Sequence, residues 1–145
     1  VAAEVFTALA GSNVNVDMII QNVSEAGTTD LSFTVPDEDL SRARTATGRI
    51  AEELGARAWT VDEDIAKISL VGAGMKTHPG VAAQMFSALA RAGVNLDMIS
   101  TSSIRISCVI ARDQIDTAVR ALHSSFGLAD EEVRAESAPG CGECE

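Results

Sequence analysis

The sequence predicts an α+β fold of two similar halves, each an antiparallel sheet with two helices on one face. Three observations carry the prediction. The first is a repeat. VAAEVFTALAGSNVNVDMI at 1–19 and VAAQMFSALARAGVNLDMI at 81–99 share twelve identities in nineteen positions without a gap, where unrelated segments match at roughly one. The second is periodicity, which passes within each half from helical spacing to alternation. The third is element order, since the second half reads strand, helix, strand, strand, helix, strand.

Val1, Val5, Phe6 and Leu9 share one face of an opening helix, and Val81, Met85, Phe86 and Leu89 repeat it. Pro79 suits the start of the second copy. A strand follows each helix. Val16, Met18 and Ile20 point one way and Asp17, Ile19 and Gln21 the other, while Leu96, Met98 and Ser100 oppose Asp97, Ile99 and Thr101. SEAGTT then turns the chain into DLSFTV, with Leu31, Phe33 and Val35 inward; TSS leads to IRISCVI, with Ile104, Ile106, Cys108 and Ile110 inward.

Helices over about 38–54 and 112–125 come next, with Asp37 and Asp113 in their first turns and Gly55 and Gly127 behind them. Short strands near 57–61 and 132–136 close the halves. AKISLVG at 66–72 opens the second half, giving the βαββαβ order of a ferredoxin-like sandwich. The first half lacks its opening strand and starts inside a helix without methionine, as expected of a fragment of something longer. The expected division is 1–63, 64–137 and a flexible tail at 138–145.

Composition narrows the function classes. A net charge of −10 opposes nucleic acid and anionic membrane surfaces, which need basic patches, and no apolar run reaches bilayer length. Three cysteines make no disulfide framework, so a reducing cytoplasm is the expected location. Cys141-Gly-Glu-Cys144 is a single C-x-x-C without the second pair that a tetrahedral site needs, so no metal is expected. His78 and His123, the two histidines, have no catalytic partners at recognisable spacing, and no catalytic residue is expected. Gly72-Ala-Gly74 follows a strand but lacks the third glycine of a dinucleotide fingerprint and the Gly-Lys-Ser/Thr of a P-loop.

The repeated polar positions are the candidates for a site. Asn15 and Asn95 open a strand in each half, with Asp17 and Asp97 on the face away from the helices. Gln21, Asn22 and Ser24 close that strand in one half, and Thr101, Ser102 and Ser103 in the other. They read either as the solvated edge of a hairpin or as a ligand surface. For the second reading, helix N-terminal amides suit a carboxylate, while side-chain amides and an aspartate suit an ammonium or hydroxyl. A free amino acid carries those groups.

VFTALAGSNVNVDMIIQNVS, TTDLSFTVP, the run KISLVGAGMKTHPGVAAQMFSALARAGVNLDMISTSSIRISCVI and AVRALHSSFGL closely resemble the tandem ACT domains of bacterial aspartokinases. The wording is most similar to actinobacterial enzymes, and the match runs to about residue 128. The resemblance implies a regulatory module that binds threonine, lysine or both and feeds back on aspartate phosphorylation, the first step towards lysine, threonine and methionine. It places the effector between the first ACT domain of one chain and a second ACT domain of its partner in a homodimer. Its contacts would be Ala2, Asn15, Val16, Asp17, Gln21 and Ser24 from the first repeat, and Gly80, Ala82, Asn95, Leu96, Asp97 and Ser102 from the second, with Asn22 and Thr101 beside them. The catalytic domain or α subunit would be the further partner. ATP and Mg would belong there, with no cofactor in this chain. Two alternatives stay open, a ligand-free dimerisation module and an acylphosphatase-like enzyme. The latter needs an arginine-bearing phosphate cradle, and GAGMKTHPG holds one lysine and no arginine.

Overall fold

Each half builds its hydrophobic centre by laying two helices across one face of a sheet. The computed structural model describes residues 1–23, 27–72, 80–127, 133–134 and 141–144. Its contacts divide the chain into one unit of residues 1–64 with 138–145 and a second of residues 65–137.

In the first unit, helix α1 (Ala2–Gly11) leads to β1 (Ile19–Val23), which pairs antiparallel with β2 (Thr29–Val35). A 3-10 turn at Asp37–Asp39 then enters α2 (Leu40–Glu53). Val5 and Leu9 of α1, Val14, Phe33 and Val35 of β2, and Ala43, Ala46 and Ile50 of α2 form the core. Phe6 meets the Phe33 ring edge-on, with centroids 5.7 Å apart at 71°. Truncating fully buried Leu9 would leave a cavity costing about 2–5 kcal/mol.

The second unit begins within β3 (Val61–Val71), followed by α3 (Val81–Arg91), β4 (Met98–Thr101), β5 (Arg105–Ala111), a 3-10 turn at Arg112–Gln114, α4 (Ile115–Phe126) and β6 (Val133–Arg134). Its sheet order is β6-β3-β5-β4, antiparallel throughout. That is the order of a βαββαβ sandwich, with the first and third strands of the unit paired at its centre. Ile68, Leu70, Met85, Leu89, Ile106, Cys108, Ile110 and Leu122 are among the core residues. On the opposite sheet face the register sets Ser69 against Ser107, and their hydroxyls satisfy each other at 2.8 Å.

Four sequence expectations need correction. The strands after α1 and α3 start later than Asn15 and Asn95, because the backbone before them bonds elsewhere. The Asn15 N–H donates to the Asp39 carboxylate at 2.8 Å, leaving residues 15–18 as an extended lead-in. Ile104, expected inward, is 54% exposed, since it sits in the turn before β5. Residues 57–60 are not a strand; Val61 instead opens the eleven-residue β3. The Trp59 indole lies beside α2, where a Cβ added to Gly48 would come within 3.2 Å of it. Finally, part of the expected flexible tail forms β7 (Cys141–Cys144), which pairs antiparallel with β2 through Phe33–Cys144, Thr34–Glu143 and Val35–Gly142.

Candidate functional site

The repeated stretch keeps one backbone plan in both units. At the end of α1, Asn13 takes a left-handed φ of 54°, and Gly93 takes 74° at the end of α3. Asparagine and glycine are the residues that tolerate this region best. The next amides turn back onto the helix, Val14 N–H to the Leu9 carbonyl at 3.1 Å and Val94 N–H to the Leu89 carbonyl at 3.0 Å. Val14 and Val94 are thereby buried, and the pattern repeats to Met18 and Met98: Asn15, Asp17, Asn95 and Asp97 are exposed, while Val16 and Leu96 pack against the cores.

Each lead-in then meets its sheet through a bulge. The Asp17 N–H donates to the Thr34 carbonyl at 3.0 Å, and the Thr34 N–H donates to the Met18 carbonyl at 3.0 Å, so two residues face one. The Met18 N–H finds the Thr34 hydroxyl at 3.1 Å. In the second unit Asp97 N–H donates to the Val109 carbonyl at 2.9 Å, while the register pairs Val109 with Met98. Bulges of this kind recur beside functional sites.

The lead-ins are clamped differently. Asp39, buried at 6% exposure, accepts the Asn15 N–H and pairs with the Arg42 guanidinium. At the matching place Gln114 donates its side-chain amide to the Gly93 carbonyl at 3.2 Å. Sequence reasoning misses both. Asp39 lies in an acidic run that reads as an ordinary solvated first turn; aligning the two post-strand turns residue by residue is the signal that finds the pair.

Gln21 and Asn22 lie exposed on β1, opposite Leu31 and Asp30, and Thr101 lies exposed on β4 opposite Ile106. Ala2 is half-buried in the first turn of α1. Gly80, with φ of 100°, caps the start of α3, where Ala82 is half-buried. Ser102 has a structural duty: its Oγ accepts the N–H groups of Ile104 at 3.3 Å and Arg105 at 3.1 Å, closing the β4–β5 turn. Ser24 and most of the GAGMKTHPG loop fall outside the described residues.

Within one unit these candidates do not converge. Seven residues of extended chain separate Asn15 from Asn22, about 20 Å, so Asn15 and Asp17 stand at the C-terminal end of α1 and Gln21 and Asn22 towards its start. A free amino acid cannot touch both sets. A cavity of about 740 Å³ in the first unit takes in Val1, Asn22, Leu31, Ile50 and Trp59, but not Asn15, Asp17 or Gln21. Thr47 also lines it, and its Oγ1 is buried without a hydrogen-bond partner. Among the described residues no cluster of three or more His, Cys, Asp or Glu could hold a metal, and no helix is long and apolar enough to cross a membrane.

Two repeated sandwiches with polar lead-ins define a class, and the comparison with known proteins agrees. The family model for the ACT domain matches residues 1–48 and 68–126, and the chain belongs to that family, as a tandem regulatory pair of the aspartokinase kind. It is 47% identical over 133 residues to an aspartokinase of Mycolicibacterium smegmatis, covering 90% of this chain and 32% of that protein. Among solved structures it is similar to the aspartokinase alpha and beta subunits, with 42% identity, a TM-score of 0.81, and coverage of 88% of this chain and 83% of that one. It is likewise similar to the ligand-free regulatory subunit of aspartate kinase from Thermus thermophilus, with 41% identity, a TM-score of 0.80, and coverage of 87% and 83%. The chain spans about a third of the length of the curated relatives it matches.

Proposed function

We propose that this chain is the effector-sensing module of an aspartokinase. It binds threonine, lysine or both and transmits feedback inhibition to a catalytic domain or α subunit, in the cytoplasm, at the head of lysine and threonine synthesis. The observation that carries the reading is the doubled lead-in, where Asn15-Val16-Asp17 and Asn95-Leu96-Asp97 hold the same burial, the same turn and the same bulge in two units. A solvated hairpin edge has no physical need to preserve an exposed amide and carboxylate at both.

Because one unit keeps its candidates about a strand length apart, the reading requires a second copy. Gln21 and Asn22 of one chain would face Asn95 and Asp97 of the partner, giving side-chain amides and a carboxylate for the ammonium and hydroxyl of an amino acid. ATP and Mg would act in the catalytic portion and have no binding residues assigned here.

Titration calorimetry of the chain with threonine and with lysine tests the proposal. We expect saturable heat with at least one of them, and no heat with either would overturn the reading. Gln21→Ala should weaken binding about tenfold to a hundredfold, as loss of one buried polar partner does. Its melting temperature should be unchanged, because Gln21 is exposed on β1. Unaltered affinity would place the site elsewhere.

A further inference from the structure

We propose that Cys141 and Cys144 form a redox modification site whose oxidised state cannot occupy β7, so that a disulfide-forming oxidant releases the C-terminal strand from β2. The argument begins with backbone geometry. Three residue steps of a strand set the two Cα atoms about 10 Å apart, whereas a disulfide needs them within about 7 Å. The reduced pair fits the strand and the bonded pair does not. Between them lies Gly142-Glu143, and glycine gives the chain the freedom to fold into the tight turn that a C-x-x-C disulfide requires.

The pairing at stake is local and can be observed. Thr34 turns both its N–H and its carbonyl towards the lead-in, bonding Met18 and Asp17. Neighbouring residues of a strand alternate, so Phe33 and Val35 present their backbone groups to the other side, where the register sets Cys144 and Gly142. Oxidation would strip the partner from Phe33 and Val35 and leave Thr34 bonded as before.

The chemistry balances with a small-molecule disulfide as oxidant. One Cys thiolate attacks a sulfur of that disulfide, expelling one thiol and forming a mixed disulfide. The other Cys thiolate displaces the second thiol as the 141–144 bond forms. Two electrons pass to the oxidant, whose two sulfurs leave as thiols carrying the two protons. Cys108 does not compete, because it is fully buried among Ile106, Ile110 and Leu122 and desolvation pushes its pKa up to about 11.

Hydrogen exchange read residue by residue, on the chain before and after treatment with oxidised dithiothreitol or glutathione disulfide, tests the proposal without any effector or catalytic portion. We expect a monomer-intramolecular product lighter by about 2 Da. Exchange at Phe33 and Val35 should rise about tenfold or more while Thr34 stays constant, and reduction should reverse the change. The double variant Cys141→Ser, Cys144→Ser should not respond. An intramolecularly oxidised chain with unchanged exchange at Phe33 and Val35 would overturn the proposal, as would cross-linking between chains as the sole product.

Discussion

Asn13 and Gly93 perform one task with two residue types. Both reverse the chain after a helix through a left-handed step, and nothing lies within 4 Å of where a Gly93 Cβ would stand. The constraint at Gly93 is therefore purely in the backbone. Gly93→Asn should fold with nearly unchanged stability, whereas Gly93→Val should lose about 1–2 kcal/mol, measured by urea unfolding. A larger loss for Asn than for Val would contradict this account. Cys108 gives a pH signature. Its folded pKa is raised to about 11 from 9.0 by desolvation, so its contribution is complete below about pH 9 and is lost as pH climbs through 11. A rise of that size corresponds to roughly 2–3 kcal/mol. Cys108→Ala should thus look most damaging near pH 8 and progressively less so towards pH 11, in paired melting curves of the two proteins.

At the scale of elements, the repeat and the two periodicities make most of the architecture legible. Helix faces, hairpins and the βαββαβ order of the second unit need only apolar spacing. What escapes are features fixed by hydrogen bonds between segments far apart in sequence. The late start of β1 depends on a carboxylate twenty-four residues away, and no local pattern announces it. Of the candidate site, Asn15, Asp17, Asn95 and Asp97 are legible because the repeat preserves them. Ser102 reads as ligand-facing in the sequence, since a hydroxyl that closes its own turn has the same signature. The C-terminal strand reads as dispensable because GCGECE has neither bulk nor β-branching, yet it borders β2. Deleting residues 138–145 should lower stability by about 1 kcal/mol, the net of a few backbone hydrogen bonds against the ordering of a short segment. Chemical denaturation followed through β2 exchange checks it, and unchanged protection at Phe33 and Val35 would refute the pairing.

For the molecule as a whole, the exposed apolar residues lie at matching edges. Ile19 is 53% and Val23 68% exposed on β1, and Ile99 is 44% exposed on β4, each strand having one paired neighbour. Such edges invite association, and the separation of the candidate residues within a unit demands it for a complete effector site. Sedimentation velocity at high micromolar concentration should show a dimer, with Ile19→Lys together with Ile99→Lys shifting it to monomer. A wild-type monomer under those conditions, with or without threonine, would argue against partner-completed binding.

The unlike clamps on two like lead-ins have a consequence for how the chain finds its fold. During folding, α1 and α3 bring nearly the same surface to two nearly equivalent places, the circumstance in which repeat proteins trap themselves with one copy in the other's seat. Asp39 and Gln114 discriminate between the tenants. A carboxylate rewards the amide of Asn15, while a carboxamide rewards the carbonyl of Gly93. Exchanging the segments would leave a buried anion facing the wrong partner and raise the energy of the misassembled form. What looks like drift between duplicated halves thus serves as an address label, keeping each copy in its own place while the surfaces around it stay almost identical.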